Sequence, residues 1–270
     1  MERLSHECIL SIRLSVDGFS FTVTHPTDHE VWHYTGCRIN PAISMTADLK
    51  QVVAEQEELQ HTYRRTEILL EGARYTLVPL ELFEEEQIEA IYGYSQRKSR
   101  MELVEYNILT ATDMVVVFAI DKSTRAFIEE QWPGARVRAG ITPLLEHWAS
   151  KCRQAAPMDA GRRMYIYEGK RAIHIAAFDH RKPLLANSYE VKGVEDAVYY
   201  ILNVWKQLGF DQEHDTLFLT TDRMSQQNVV DVLKRYVKSV AMVNPVAEFN
   251  RSVAAQSGEI PYDMLVAMNY

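Results

Sequence analysis

His25, His29 and His33 recur every four residues with Asp28 and Glu30 among them, donors of the kind that bind zinc. Spacing of four aligns side chains only on a helix. Pro26 and the run Val31-Trp32-His33-Tyr34-Thr35 predict a loop entering a strand instead, so no metal site is expected. His174, Asp179 and His180 fall on a predicted strand and the turn behind it. Alternation sets His174 opposite Ile173 and Ile175, as a partly exposed strand histidine. Glu81 and Glu84-Glu85-Glu86 could pair for acid–base work, yet they open a predicted helix, where the backbone dipole favours negative charge. Asp17-Gly18 and Glu168-Gly169-Lys170-Arg171 set an acid beside a glycine. Such sequences form tight turns, and the exposed N–H groups of a turn can also hold an anion. The chain has no Gly-x-Ser-x-Gly, no Walker-type phosphate loop and no Gly-x-Gly-x-x-Gly. No nucleophile-and-base pair stands out.

Periodicity predicts the elements that would position these groups. Residues 9–15 and 19–24 alternate apolar and polar positions on either side of Asp17-Gly18, a strong hairpin signal. A third strand follows at 30–35. Helical spacing of Ile43, Leu49, Val52, Val53 and Leu59 then predicts a helix within 41–60, with Pro41 suited to its first turn. The first half goes on with a strand-like run over 67–78, a helix from about Glu84, a strand at 114–120 and a helix at 124–131.

The second half restarts the programme. Residues 164–167 and 172–178 flank Glu168-Gly169-Lys170, 183–191 supply a third strand, and 194–208 form an amphipathic helix. Val198, Ile201, Leu202 and Trp205 make its apolar stripe, and Gly209 is its C-terminal cap. A buried strand at 216–221, a helix over 225–239 and a short strand at 241–243 follow. Gly18 and Gly169 stand more than half the chain apart, so the repeat is of whole lobes. Alternation of helix with buried strand predicts an α/β protein whose sheets are covered by helices. The break at 154–161 divides it into an N-terminal lobe, 1–156, and a C-terminal lobe, 157–270. The apolar segment 260–270 is expected to dock as a last helix on the second lobe.

A chain of 270 residues, 47% hydrophobic and 24% charged, is long enough for one large domain or two smaller ones. Its net charge of −8 argues against a protein built to neutralise nucleic-acid phosphates, and Arg97-Lys98-Ser99-Arg100 is too short a basic run to reverse that. The charged first residues do not form a signal peptide, and no apolar run approaches the roughly 20 residues that span a bilayer. The cytoplasm is the expected location. Cys8, Cys37 and Cys152 are odd in number and lack C-x-x-C spacing, which predicts small buried side chains, not disulfides or a zinc knuckle.

A β-meander, a helix and further β/α units, given twice, resemble the actin-like ATPase fold. In size and layout the chain is similar to a family of bacterial proteins of unknown function assigned that fold. The resemblance covers nearly the whole chain and implies two ribonuclease H-like lobes, each a mixed sheet that starts with a meander and is flanked by helices. It also implies a cleft between the lobes, where intact members hold ATP with magnesium. The family's first loop reads roughly Asp-x-Gly-Thr/Ser; here Arg13-Leu14-Ser15-Val16-Asp17-Gly18 sets Arg13 where the carboxylate should be. The second reads Asp-x-Gly-Gly-Gly; here Ile166-Tyr167-Glu168-Gly169-Lys170 sets an isoleucine there. A strand that ends in Gly-Gly in the family ends here in Thr220-Thr221-Asp222, whose β-branched side chains crowd the surface adenosine would use.

By the resemblance, Ser15, Asp17, Gly18, Glu168, Gly169, Thr220, Thr221 and Asp222 line the cleft. Asp17 or Glu168 could replace a missing carboxylate, and Lys170 and Arg171 could hold phosphate without magnesium. With the loops degenerate, the expected function is that of a non-catalytic binding or scaffold protein with a protein partner. Neither nucleic acid nor a membrane span is expected. The alternative is an atypical ATPase or phosphotransferase that uses ATP and magnesium through displaced carboxylates.

Overall fold

The computed structural model describes residues 2–15, 18–28, 32–38, 40, 42–72, 74–155, 161–169, 171–221, 226–250 and 252–269. The alternating segments at the start form strands β1 (Ile9–Ser15), β2 (Gly18–Thr24) and β3 (Trp32–Cys37), an antiparallel meander. Ser15 pairs with Gly18, so Gly18 belongs to strand β2 and not to the turn before it. Val16 and Asp17 themselves lie outside the described residues. Helix α1 (Met45–Glu55) starts later than Pro41, because the Ser44 hydroxyl accepts the Ala47 N–H and caps it there.

Strand β4 (Arg65–Leu70) runs parallel to β1. The run over 67–78 that reads as one apolar strand is two. Gly72, at φ 72°, breaks it, and β5 (Tyr75–Pro79) leaves for another sheet. That sheet, in the order β5-β7-β6, is closed by β6 (Glu102–Leu109) and β7 (Met114–Asp121) and covered by α2 (Ile88–Ser95), whose Tyr92 packs on Val115 and Val117. Helix α3 (Lys122–Gln131), capped by Asp121, leads to β8 (Arg136–Ala139) and α4 (Ile141–Gln154). Asn107 of β6 staples the small sheet to the open edge of β8. Its amide donates to the Val137 carbonyl at 3.0 Å, and its oxygen accepts from Ala139 N–H at 3.0 Å.

The second unit contains β9 (Arg163–Glu168), β10 (Ala172–Asp179), β11 (Lys182–Glu190), α5 (Val194–Gln207), β12 (Thr216–Thr221), α6 (Gln226–Leu233) and β13 (Ser239–Met242). Gly209, at φ 65°, ends α5 as expected of a C-terminal glycine. The sheet orders are β3-β2-β1-β4-β8 and β11-β10-β9-β12-β13. In each, the meander is antiparallel and the last two strands are parallel to the first, so one topology occurs twice. Three short helices end the chain: α7 (Pro245–Glu248), α8 (Val253–Gln256) and α9 (Tyr262–Met268).

Alternation sorts the side chains of the second sheet. Met164, Ile166, Ile173, Ile175, Leu217 and Leu219 form an outer core with Val198, Ile201 and Trp205 of α5 and Val229 and Val230 of α6. Tyr165, Tyr167, Ala176 and Phe178 face the other way and join one continuous core with the first lobe and with Trp148 of α4. Helix α9 does not dock on the second lobe alone, as the sequence predicts. It packs on α4 and on β1 of the first sheet. Cys8 and Cys152 are buried free thiols and Cys37 is half-buried. Among the described residues no helix is long and apolar enough to cross a membrane.

Candidate functional site

On β1 the side chains of Ser11, Arg13 and Ser15 share one face, opposite Leu10, Ile12 and Leu14. A strand with this alternation is expected to wet its polar face, yet Arg13 is 8% exposed and Ser15 0%. Helix α9 supplies the reason. Arg13 Nε donates to Asp263 Oδ2 at 2.8 Å, across 250 residues of chain. The other carboxylate oxygen, Oδ1, accepts the Met264 N–H at 2.8 Å and faces the Tyr167 hydroxyl of β9 at 3.4 Å. Burial works against the guanidinium's charge, but Asp263, Tyr167 and Glu71 outweigh it and raise the Arg13 pKa further. The Arg13 guanidinium therefore stays charged.

A second chain of contacts crosses directly between the lobes. Ser15 Oγ donates to Glu71 Oε2 at 2.7 Å, and Glu71 Oε1 lies 3.7 Å from His174 Nε2 on β10. His174 Nδ1 is 2.6 Å from Ser188 Oγ of β11, which donates to Tyr75 Oη of β5 at 3.2 Å. Burial alone would raise the Glu71 pKa. The His174 hydrogen bond, the charges of Arg13 and His174 and the Ser15 hydroxyl overcome it and bring it down to about 2. His174, expected to be partly exposed, is 3% exposed and stacks on Tyr167 with the rings 13° apart. A cluster of the same kind ties α7 and α9 to α4. Glu248 accepts from His147 Nε2 at 2.9 Å, from Lys151 Nζ at 3.0 Å and from the Tyr262 hydroxyl at 3.0 Å.

The candidate cleft residues divide between the two faces of the sheets. Ser15, Gly169 and Thr220 face the seam. A Cβ at Gly169 would come within 3.9 Å of Glu71 Oε1, and Ser15 donates to the other oxygen of that carboxylate, so the ends of β1 and β9 approach each other across Glu71. Thr220 approaches the Tyr262 hydroxyl. Glu168 and Thr221 are register partners at the ends of β9 and β12, and alternation gives them the face of Ile166 and Leu219. Gly18 opens β2 opposite Ser15, with the Cys37 carbonyl 3.2 Å from where its Cβ would be. Asp17 and Asp222 lie outside the described residues.

The loop match at Ile166 is out of phase by one residue. Ile166 belongs to the outer core, whereas Tyr167 sends its hydroxyl into the seam, because a shift of one position along a strand exchanges faces. Glu71, His174, Ser188, Tyr75 and Asp263 are the seam residues that periodicity missed. One signal was available for Asp263, an acid inside the otherwise apolar run Met264-Leu265-Val266-Ala267, which needs a buried partner. His25 and His33 do not converge. The first sits 3.4 Å from Glu7, and the second is on β3, 3.9 Å from Glu58.

Two lobes of identical topology around a polar seam define the actin-like ATPase fold. In a crystal structure, a Bacteroides thetaiotaomicron protein with that fold and unknown function is 36% identical, with 100% of this chain and 98% of that one covered and a TM-score of 0.87. The chain belongs to the family of proteins of unknown function DUF3822, whose profile matches residues 3–240. The PilM–PilN type IV pilus biogenesis complex contains a chain that is 14% identical, with 98% of this chain and 97% of that one covered and a TM-score of 0.56, a likeness of fold. No curated protein matches the sequence.

Proposed function

We propose that this protein is a cytoplasmic, non-catalytic scaffold that keeps the two actin-like lobes, 1–156 and 157–270, and binds a protein partner. The observation that carries this reading is the Arg13–Asp263 pair. Where the resemblance sets a metal-organising carboxylate there is a guanidinium, held at 2.8 Å by a buried aspartate of the last helix. A magnesium ion there would meet a fixed positive charge. Its other polar neighbours, Ser15 and Glu71, already satisfy one another. Among the described residues, the groups at this position do not fit a magnesium nucleotide. That PilM occurs in a complex with PilN supports a protein partner for this fold.

Thermal denaturation with millimolar ATP and magnesium tests the reading. The expected result is an unchanged melting temperature. A ligand bound to the folded state at one hundred times its dissociation constant adds about 2.7 kcal/mol. An upward shift of that size would overturn the scaffold reading in favour of an atypical ATPase or phosphotransferase.

A further inference from the structure

The end of the first sheet remote from the seam carries a different feature. The starts of β1, β4 and β8 open into a groove of about 720 Å³, lined by Ile9, Pro26, Tyr63, Pro133 and Met268 and by three arginines, Arg64, Arg65 and Arg136. That volume lies within the roughly 300–1,000 Å³ of ligand-sized sites. Among the described residues no aspartate or glutamate lines it. Arg65 is held by Glu67, with Nε–Oε1 3.0 Å. Arg64 and Arg136 are exposed and make no ion pair among the described residues, in a chain whose net charge is −8. Two unneutralised guanidiniums on adjacent strands of an acidic protein make a local field of opposite sign, which attracts an anionic partner.

We infer that this groove binds an acidic peptide segment of a partner protein, with Arg64 and Arg136 each holding a carboxylate and the Tyr63 and proline walls taking the apolar side chains between them. Two observations favour a carboxylate-bearing peptide over a free phosphate. Among the described residues no helix N-terminus lines the groove, so it lacks the backbone donors that phosphate selects. The apolar walls of Ile9, Pro26, Tyr63, Pro133 and Met268 match the side chains of a peptide and nothing in a free phosphate. A planar guanidinium can hold each carboxylate in a two-pronged hydrogen bond. Tyr63 is held in place by donating to the Glu58 carbonyl at 2.7 Å, so its ring is a preformed wall. The inference deepens the scaffold reading by naming the chemistry of the partner, and it rests on that reading.

Fluorescence anisotropy tests it with a labelled peptide of alternating glutamate and leucine, a lysine-for-glutamate version, a short single-stranded oligonucleotide and inorganic phosphate as competitor. The acidic peptide should bind, weaken with salt, and lose about tenfold or more in affinity in the double variant Arg64→Glu, Arg136→Glu. Both positions are exposed, so the variant should melt with the wild type. Unchanged affinity in the variant, equal binding of the lysine peptide, preference for the oligonucleotide, or displacement by millimolar phosphate would each overturn the inference. None of these outcomes touches the nucleotide melting experiment, so the groove can fail while the scaffold reading stands.

Discussion

The two sheets have one topology, but their inner faces are built from opposite materials. The second presents rings. Trp148, Tyr165 and Phe218 stack with centroids 5.7 and 4.9 Å apart, and Phe178 meets Tyr165 edge-on at 6.0 Å. The first presents Ser11, Arg13 and Ser15 from β1 and Glu67 from β4, with Glu71 just beyond; Glu67 reaches Arg65 on its own strand at 3.0 Å, but Arg13 and Glu71 are answered only from other elements. An aromatic face is satisfied by any apolar surface laid on it. A charged face is satisfied only by particular atoms in particular places. The first lobe therefore depends on distant segments, on Asp263 from α9, Arg138 from β8 and His174 from the other lobe.

The largest expected effect comes from breaking the charged face. Asp263→Ala strands the buried guanidinium and should cost about 3–5 kcal/mol in urea denaturation. Arg13→Met combined with Asp263→Leu should recover most of that loss, because it removes both charges and leaves apolar groups behind. A cost below about 1 kcal/mol for Asp263→Ala would mean that water reaches Arg13 and that the two faces differ less than the burial indicates.

Acid acts on the same side of the comparison. The Glu71 pKa is depressed in the folded state, from 4.5 to about 2. Its contribution is therefore complete above pH 4.5 and is lost as the pH falls toward 2, by on the order of 3 kcal/mol. Glu248, also lowered to about 2 by His147 and Lys151 against the effect of burial, acts over the same window. In Glu71→Gln the slope of stability against pH between 4.5 and 2 should flatten in part and leave the Glu248 share. An unchanged slope would remove Glu71 from the seam's electrostatics.

Smaller changes sharpen the contrast. Tyr75→Phe takes away the hydroxyl that receives Ser188 and should cost about 1 kcal/mol, read from the urea midpoint. Tyr165→Phe keeps the ring stack and loses the 3.8 Å contact with the Cys152 thiol and the hydroxyl's contact with Arg163, so it should stay within about 0.5 kcal/mol of wild type. A larger loss there would mean that the second face is also specified by polar contacts.

Much of this architecture was legible in the residues. Strict alternation over 9–15 and 19–24 marked the first hairpin, continuous apolar stretches marked β7, β10 and β12, and the stripe of Val198, Ile201 and Trp205 marked α5. The small sheet was less legible. Its β5 merged with β4 in one apolar run, and the mixed composition of Glu102–Leu109 hides β6 behind no clear period. Of the seam, only the two turns and the misplaced Arg13 could be read. Glu71 and His174 both looked like residues within strands, because nothing local says that another lobe faces them.

The sequence alone determined the repeated order of strands and helices, since the periods of 2 and 3.6 are properties of a few consecutive residues. Only the tertiary structure decided what the polar face of β1 meets. A strand whose polar side faces water and one whose polar side faces a remote carboxylate carry the same alternation. Here the carboxylate arrives 250 residues later on α9, so the fate of Arg13 is a property of the assembled fold and of no segment within it.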